Sequence, residues 1–182
     1  MTHDGACADS ALVRFYAGAA LDACGRALAE IWTWDDARLE HVHDYIQWLF
    51  PLVEPSRFND DAPLLARADI DAFAARASLR DNLRRSLQRM LAFYGFALAP
   101  GPHVARAPGF AARAENWLTP FNHNFLRLTR ILQSLCLLGL EAEARALLAA
   151  LEEVYRDGGA AAIGERSLAF WRGALRPVRP AH

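Results

Sequence analysis

Apolar residues recur along this chain at the three- and four-residue spacing of helix faces, and no stretch alternates strictly as a half-buried strand would. That pattern predicts helices over about 11–16, 21–32, 36–50, 69–76, 78–95, 120–138, 141–156 and 165–175. Local signals bound them. Asp35 or Asp36 can cap the third, and Pro51 must stop it because the residue before a proline leaves the α region. Ser78 can open and Gly95 close the fifth, Thr119 with Pro120 opens the sixth, and Gly139 ends it. Residues 53–67, with Pro55, Asn59, Asp60, Asp61 and Pro63, read as a loop. Residues 97–114 hold three prolines and two glycines and read as a mobile connector. The expected fold is all-α: one domain over 1–182 with its core in about 10–175, a helical bundle of six to eight helices.

Two of these helices carry unusually wide apolar arcs. On 36–50, Leu39, Val42, Ile46, Leu49 and Phe50 share one arc, Tyr45 and Trp48 lie opposite, and only Glu40, Asp44 and Gln47 form a polar strip. Such a helix belongs in the middle of a bundle. His43 beside the arc and His41 next to Trp48 then need internal hydrogen-bond partners. On 120–138, Phe121, Phe125, Leu128, Ile131, Leu132, Leu135 and Cys136 form the core arc, while His123, Arg127, Arg130 and Ser134 form a polar stripe. Two guanidiniums on one line suit a carboxylate or phosphate, or else salt bridges to acids of the N-terminal half. Asn124 falls inside the apolar arc, where its amide needs partners from the loop near Asn59 or from a ligand. The two helices are expected to pack against each other around a pocket lined by His41, His43, Tyr45, Trp48, His123, Asn124, Arg127 and Arg130.

The segment Glu-His-Val-His-Asp-Tyr-Ile-Gln-Trp-Leu-Phe-Pro-Leu at 40–52 resembles the signature of the opioid growth factor receptor conserved region. A second block resembles it too: His123 to Leu132, then Ser134, Leu135, Leu138 and Gly139. Weaker similarity runs through Met90, Leu91, Phe93, Tyr94 and Gly95, so that about 10–175 is covered. The resemblance implies a non-enzymatic receptor-like domain. Animal members are described as receptors for the pentapeptide Met-enkephalin at the nuclear periphery, and their repeat-bearing extension has no counterpart in this sequence.

Composition changes that picture in three places. All 20 basic residues are Arg and Ala is abundant, which suggests a GC-rich genome and a bacterial member of the family, for which an opioid peptide is not the expected ligand. The net charge of −1 hides a division: residues 1–71 hold 13 acids and 5 Arg, net −8, and residues 72–182 hold 8 acids and 15 Arg, net +7. The third is cysteine usage. Cys7, Cys24 and Cys136 form no close pair and imply a reducing compartment, the N-terminus does not read as a secretory signal, and no apolar run reaches a membrane span, so a cytoplasmic protein is expected.

The reading adopted is a ligand- or peptide-binding or protein-interaction domain, whose partner is a peptide, a small carboxylate or an acidic protein. No cofactor and no metal is expected, because no His-x-x-x-His or Cys-x-x-Cys spacing is present. Two alternatives stay open. One is a small hydrolase or transferase in which His43 and His123 meet across a cleft. The other is a polyanion-binding protein using the face formed by Arg80, Arg84, Arg85 and Arg89. For that face nucleic acid is not the expected partner, while peripheral membrane contact stays open.

Overall fold

The computed structural model describes residues 8–56 and 59–177. Helices α1 (Ala11–Tyr16), α2 (Leu28–Trp32), α3 (Asp36–His41) and α4 (Ile46–Leu49) are short, and α5 (Arg67–Ala75) leads into the long α6 (Ala77–Tyr94). Strands β1 (Phe96–Ala99) and β2 (His103–Arg106) follow, then α7 (Phe110–Trp117), α8 (Asn124–Leu137), α9 (Glu141–Val154) and α10 (Ala160–Ala174), the last two joined by a π-helical turn at Tyr155–Gly159.

The expected all-α bundle of six to eight helices is overturned. β1 and β2 form an antiparallel hairpin with Phe96 opposite Arg106, which makes the architecture mixed α/β, and the helical pieces are more numerous and shorter than the bundle required. The hairpin and the start of α7 occupy the segment expected to be a connector. Its prolines act as punctuation there: Pro100 and Pro102 flank Gly101, whose φ of 75° supplies the left-handed turn residue. Phe96 and Val104 bury one side of this hairpin.

Helix 21–32 is also shorter than expected. Asp22 captures the backbone N–H groups of Cys24 and Arg26 at 2.9 Å each and pairs with the Arg26 guanidinium at 2.6 Å, so its first half is a side-chain-stapled turn. Asp35 does cap α3, accepting from the N–H of Arg38. The sixth predicted helix starts at Asn124 rather than near Pro120, since Asn122 ties the preceding turn together through Asn116, Thr119 and Asn124. Phe121, assigned by periodicity to the core arc, sits in that turn with φ 60° and is fully exposed.

The core joins the two signature segments to the middle of the chain. Phe15, Tyr16, Leu39, Tyr45, Leu49, Phe50, Leu83, Leu87, Met90, Tyr94, Leu128 and Leu132 belong to one contiguous buried cluster. α6 runs through it, with every third or fourth residue from Leu79 to Tyr94 buried. Among the described residues no helix is long and apolar enough to cross a membrane.

Candidate functional site

The helix expected over 36–50 is interrupted between its two histidines. Val42 is extended, with φ −88° and ψ 131°, and the chain turns before re-entering helix at Ile46. A break of this kind frees carbonyls that water or a side chain must satisfy. Arg127 does so. From α8 its guanidinium donates to the carbonyls of Leu39 at 3.0 Å, Glu40 at 3.4 Å and Val42 at 3.0 Å, and to Asn124 Oδ1 at 3.3 Å and His43 Nδ1 at 3.0 Å. Only 5% of the residue is exposed, and the Glu40 carboxylate 3.7 Å away balances its charge. Since arginine only donates, His43 Nδ1 must accept, which places the proton of its neutral ring on Nε2.

Around Arg127 a polar network fills the space between the segments. Asn124 Oδ1 accepts from the Tyr94 hydroxyl at 3.3 Å, and its Nδ2 donates to Glu40 Oε2 at 3.2 Å and to Asn122 Oδ1 at 3.0 Å. His123 Nε2 lies 3.3 Å from Glu40 Oε1, and its ring stands edge-on to that of His43 at 5.4 Å. Burial and the Arg127 charge push the His123 pKa down, against the pull of Glu40, so this ring is neutral at pH 7.

Beyond the network lies a cleft of about 440 Å³, walled by α4 and residues 52–56 on one side and by α8 on the other. Of the eight residues expected to line a pocket, His43, His123, Arg127 and Arg130 do so. The other four are elsewhere. His41 is exposed and its Nδ1 contacts the carbonyl of Ala37 at 2.8 Å. Tyr45 is buried, its hydroxyl donating to the carbonyl of Leu39 at 3.1 Å. Trp48 packs edge-on against Phe15 in the core, and Asn124 is fully buried within the network. Sequence reasoning missed Gln47, Leu126, Thr129 and Gln133, together with Leu52, Glu54 and Pro55 from the segment read only as a loop. Helical spacing could have found part of this wall, because Leu126, Arg130 and Gln133 follow one face of α8. Nothing local marked the 52–56 wall.

Arg130 differs from Arg127 in its surroundings. It is half-buried and donates to the carbonyl of Phe50 at 3.1 Å, and no described carboxylate pairs with it. Burial alone moves its pKa down to about 10, which leaves it charged at neutral pH but poorly solvated.

The other candidate cations are engaged internally. Arg80 donates to the carbonyls of Phe73 and Ala74, Arg84 pairs with Asp81 and Glu143, Arg85 lies 4.3 Å over the Trp32 ring, and Arg89 bonds the Trp34 carbonyl and Asp36. Cys24 is an exposed thiol and Cys136 a buried one, and Cys7 lies outside the described residues.

Comparison with known proteins places this geometry in a family. The model of the opioid growth factor receptor conserved region matches residues 10–179. The opioid growth factor receptor of Rattus norvegicus is 47% identical over 105 residues, 57% of this chain and 18% of that protein. Its Homo sapiens counterpart is 40% identical over 116 residues, covering 60% and 16%, and opioid growth factor receptor-like protein 1 of Xenopus tropicalis is 40% identical over 111 residues, covering 60% and 21%. The matched region is thus about a fifth or less of these relatives' length, and no solved structure matches. Because the family model spans nearly the whole chain and both signature segments build the walls of one cleft, the chain belongs to the opioid growth factor receptor family.

Proposed function

We propose that this chain acts, as one domain, as a non-enzymatic binding module that receives a carboxylate-bearing ligand, such as a peptide, in the cleft between α4 and α8. The observation that carries this reading is Arg130: a charged guanidinium facing a cleft, with one of its five donors on a backbone carbonyl and no described acid beside it. Desolvating a cation without a counter-charge costs free energy that an incoming carboxylate returns through paired, charge-assisted hydrogen bonds. Ile46, Leu52, Pro55 and Leu126 give the same cleft an apolar lining for the rest of the ligand. That relatives are named receptors agrees with a binding role.

The test is calorimetric titration with a short peptide that ends in an aromatic residue, in two forms, one with a free C-terminal carboxylate and one capped as the carboxamide. The free acid should bind more tightly to the native protein, and Arg130→Gln should remove about 1.5–3 kcal/mol of that binding, the scale of hydrogen bonds to a charged group. Equal affinity for acid and carboxamide would remove the proposal.

His43 and His123 do meet, as a catalytic alternative requires, and each has a charged neighbour, Arg127 for His43 and Glu40 for His123.

A further inference from the structure

Five ionisable side chains line the cleft: His43, Glu54, His123, Arg127 and Arg130. Three of them present no uncompensated charge to a ligand. His43 accepts from Arg127 at Nδ1 and is a neutral ring, the lowered pKa of His123 leaves it neutral at pH 7, and Glu40 balances Arg127 at 3.7 Å. The remaining two are opposite in sign and belong to opposite walls, Arg130 to α8 and Glu54 to the 52–56 segment. No ion pair joins them. Glu54 is exposed, and among the described residues nothing pairs with its carboxylate.

Both walls are fastened. Arg130 is bonded to the carbonyl of Phe50, and Glu54 lies between Leu52, which bridges to Leu64 and accepts from the N–H of Leu65 at 2.9 Å, and Pro55, whose ring fixes its own φ. Four residues of chain separate Phe50 from Glu54, at most about 14 Å when fully extended, so one small molecule can reach both charges. A ligand that carries only a carboxylate gains from Arg130 but is repelled by Glu54. A ligand with a positive group at its other end turns that repulsion into attraction.

We infer that the cleft selects a small zwitterion: Arg130 takes the carboxylate, and Glu54 takes a positively charged group of the same molecule, such as the ammonium of an amino acid or a short peptide. Glu54 is then a specificity-determining residue that separates zwitterions from simple organic acids. This rests on the proposed carboxylate reading and adds to it the class of ligand.

The experiment titrates the intact protein at neutral pH with phenylalanine, alanyl-phenylalanine and alanyl-alanyl-phenylalanine, each with its amine free and with that amine acetylated, the carboxylate being kept throughout. At the length that fits the cleft, the free amine should bind the native protein about two- to fivefold more tightly than its acetylated form, the scale of an exposed ion pair. Glu54→Gln should act with opposite signs on the two forms. It weakens the zwitterion by removing its partner and strengthens the acetylated acid by removing a like charge, so the ratio falls to near one. Glu54 is exposed and holds no other described group, so the variant should melt with the native protein, and both forms are titrated on one preparation so that the folded fraction cancels from the ratio. Equal binding of free and acetylated forms at every length overturns the inference, as does tighter binding of the acetylated form or a ratio that survives in Glu54→Gln. If the acid still outbinds the carboxamide, such a result leaves the carboxylate reading standing. Absence of binding by every probe overturns both.

Discussion

Arg127 and Arg130 stand one turn apart on α8 and look alike in sequence, yet they do opposite things. Arg127 is spent on five acceptors that hold the broken segment between α3 and α4 in place. Arg130 has one carbonyl and an open cleft. A charged side chain with its donors filled is structural, and one half-buried with donors to spare is where we propose that a ligand binds; spacing on a helix does not separate the two.

The sharpest way to break this comparison is Arg127→Met, which keeps much of the side chain's bulk but removes one donor from the Leu39, Glu40 and Val42 carbonyls, Asn124 Oδ1 and His43 Nδ1, and the counter-charge from Glu40. It should cost about 3–5 kcal/mol of stability, as removal of one partner of a buried charged cluster does, read as a drop in the urea midpoint. A midpoint within error of the native one would make Arg127 as dispensable as a surface residue.

Arg130→Gln should behave the other way. Stability should stay within about 1 kcal/mol, since desolvation relieved offsets one lost carbonyl contact, while carboxylate affinity falls by about 1.5–3 kcal/mol. A melting temperature lowered as far as in Arg127→Met would erase the difference between the two arginines.

A third test uses pH. His123 has a folded pKa below its ordinary value, so in the window between that lowered value and about 6.5 the unfolded chain binds more protons, and stability rises with pH. Its contribution is complete above about 6.5 and is lost as pH falls through the folded pKa. Denaturant midpoints should therefore decrease on going from pH 7.5 to 5.5, and His123→Gln should flatten that part of the profile. A midpoint that rose on acidification would mean Glu40 outweighs burial and Arg127.

Phe121 offers the smallest effect. Its fully exposed ring in the turn before α8 predicts a change within about 0.5 kcal/mol for Phe121→Ala, whereas periodicity had assigned it to the same core arc as buried Phe125. A loss of several kcal/mol would restore the periodic assignment.

Much of the secondary structure was legible because its causes are local. The apolar spacing of Leu79, Leu83, Leu87 and Met90 predicted α6, and Gly95 ends it in the left-handed conformation expected of a helix terminator. The site was half legible. His43, His123, Arg127 and Arg130 were found from their residue types, while Trp48 and Tyr45 were mistaken for lining because an all-round apolar helix has no face that announces the core. The hairpin escaped notice because its prolines and glycine read equally well as a connector, and four-residue strands are too short for alternation to register.

What the sequence by itself determined was the inventory: mostly helical segments, their stops at Pro51, Gly95 and Gly139, two signature blocks, and the charged and amide groups those blocks carry. Only the tertiary structure decided where the 36–50 segment breaks, that Gln47 turns inward, and which arginine is filled and which has donors to spare. The reason is range: helical periodicity depends on neighbours three and four residues away, whereas the fate of a guanidinium depends on carbonyls more than eighty residues distant that packing brings within about 3 Å.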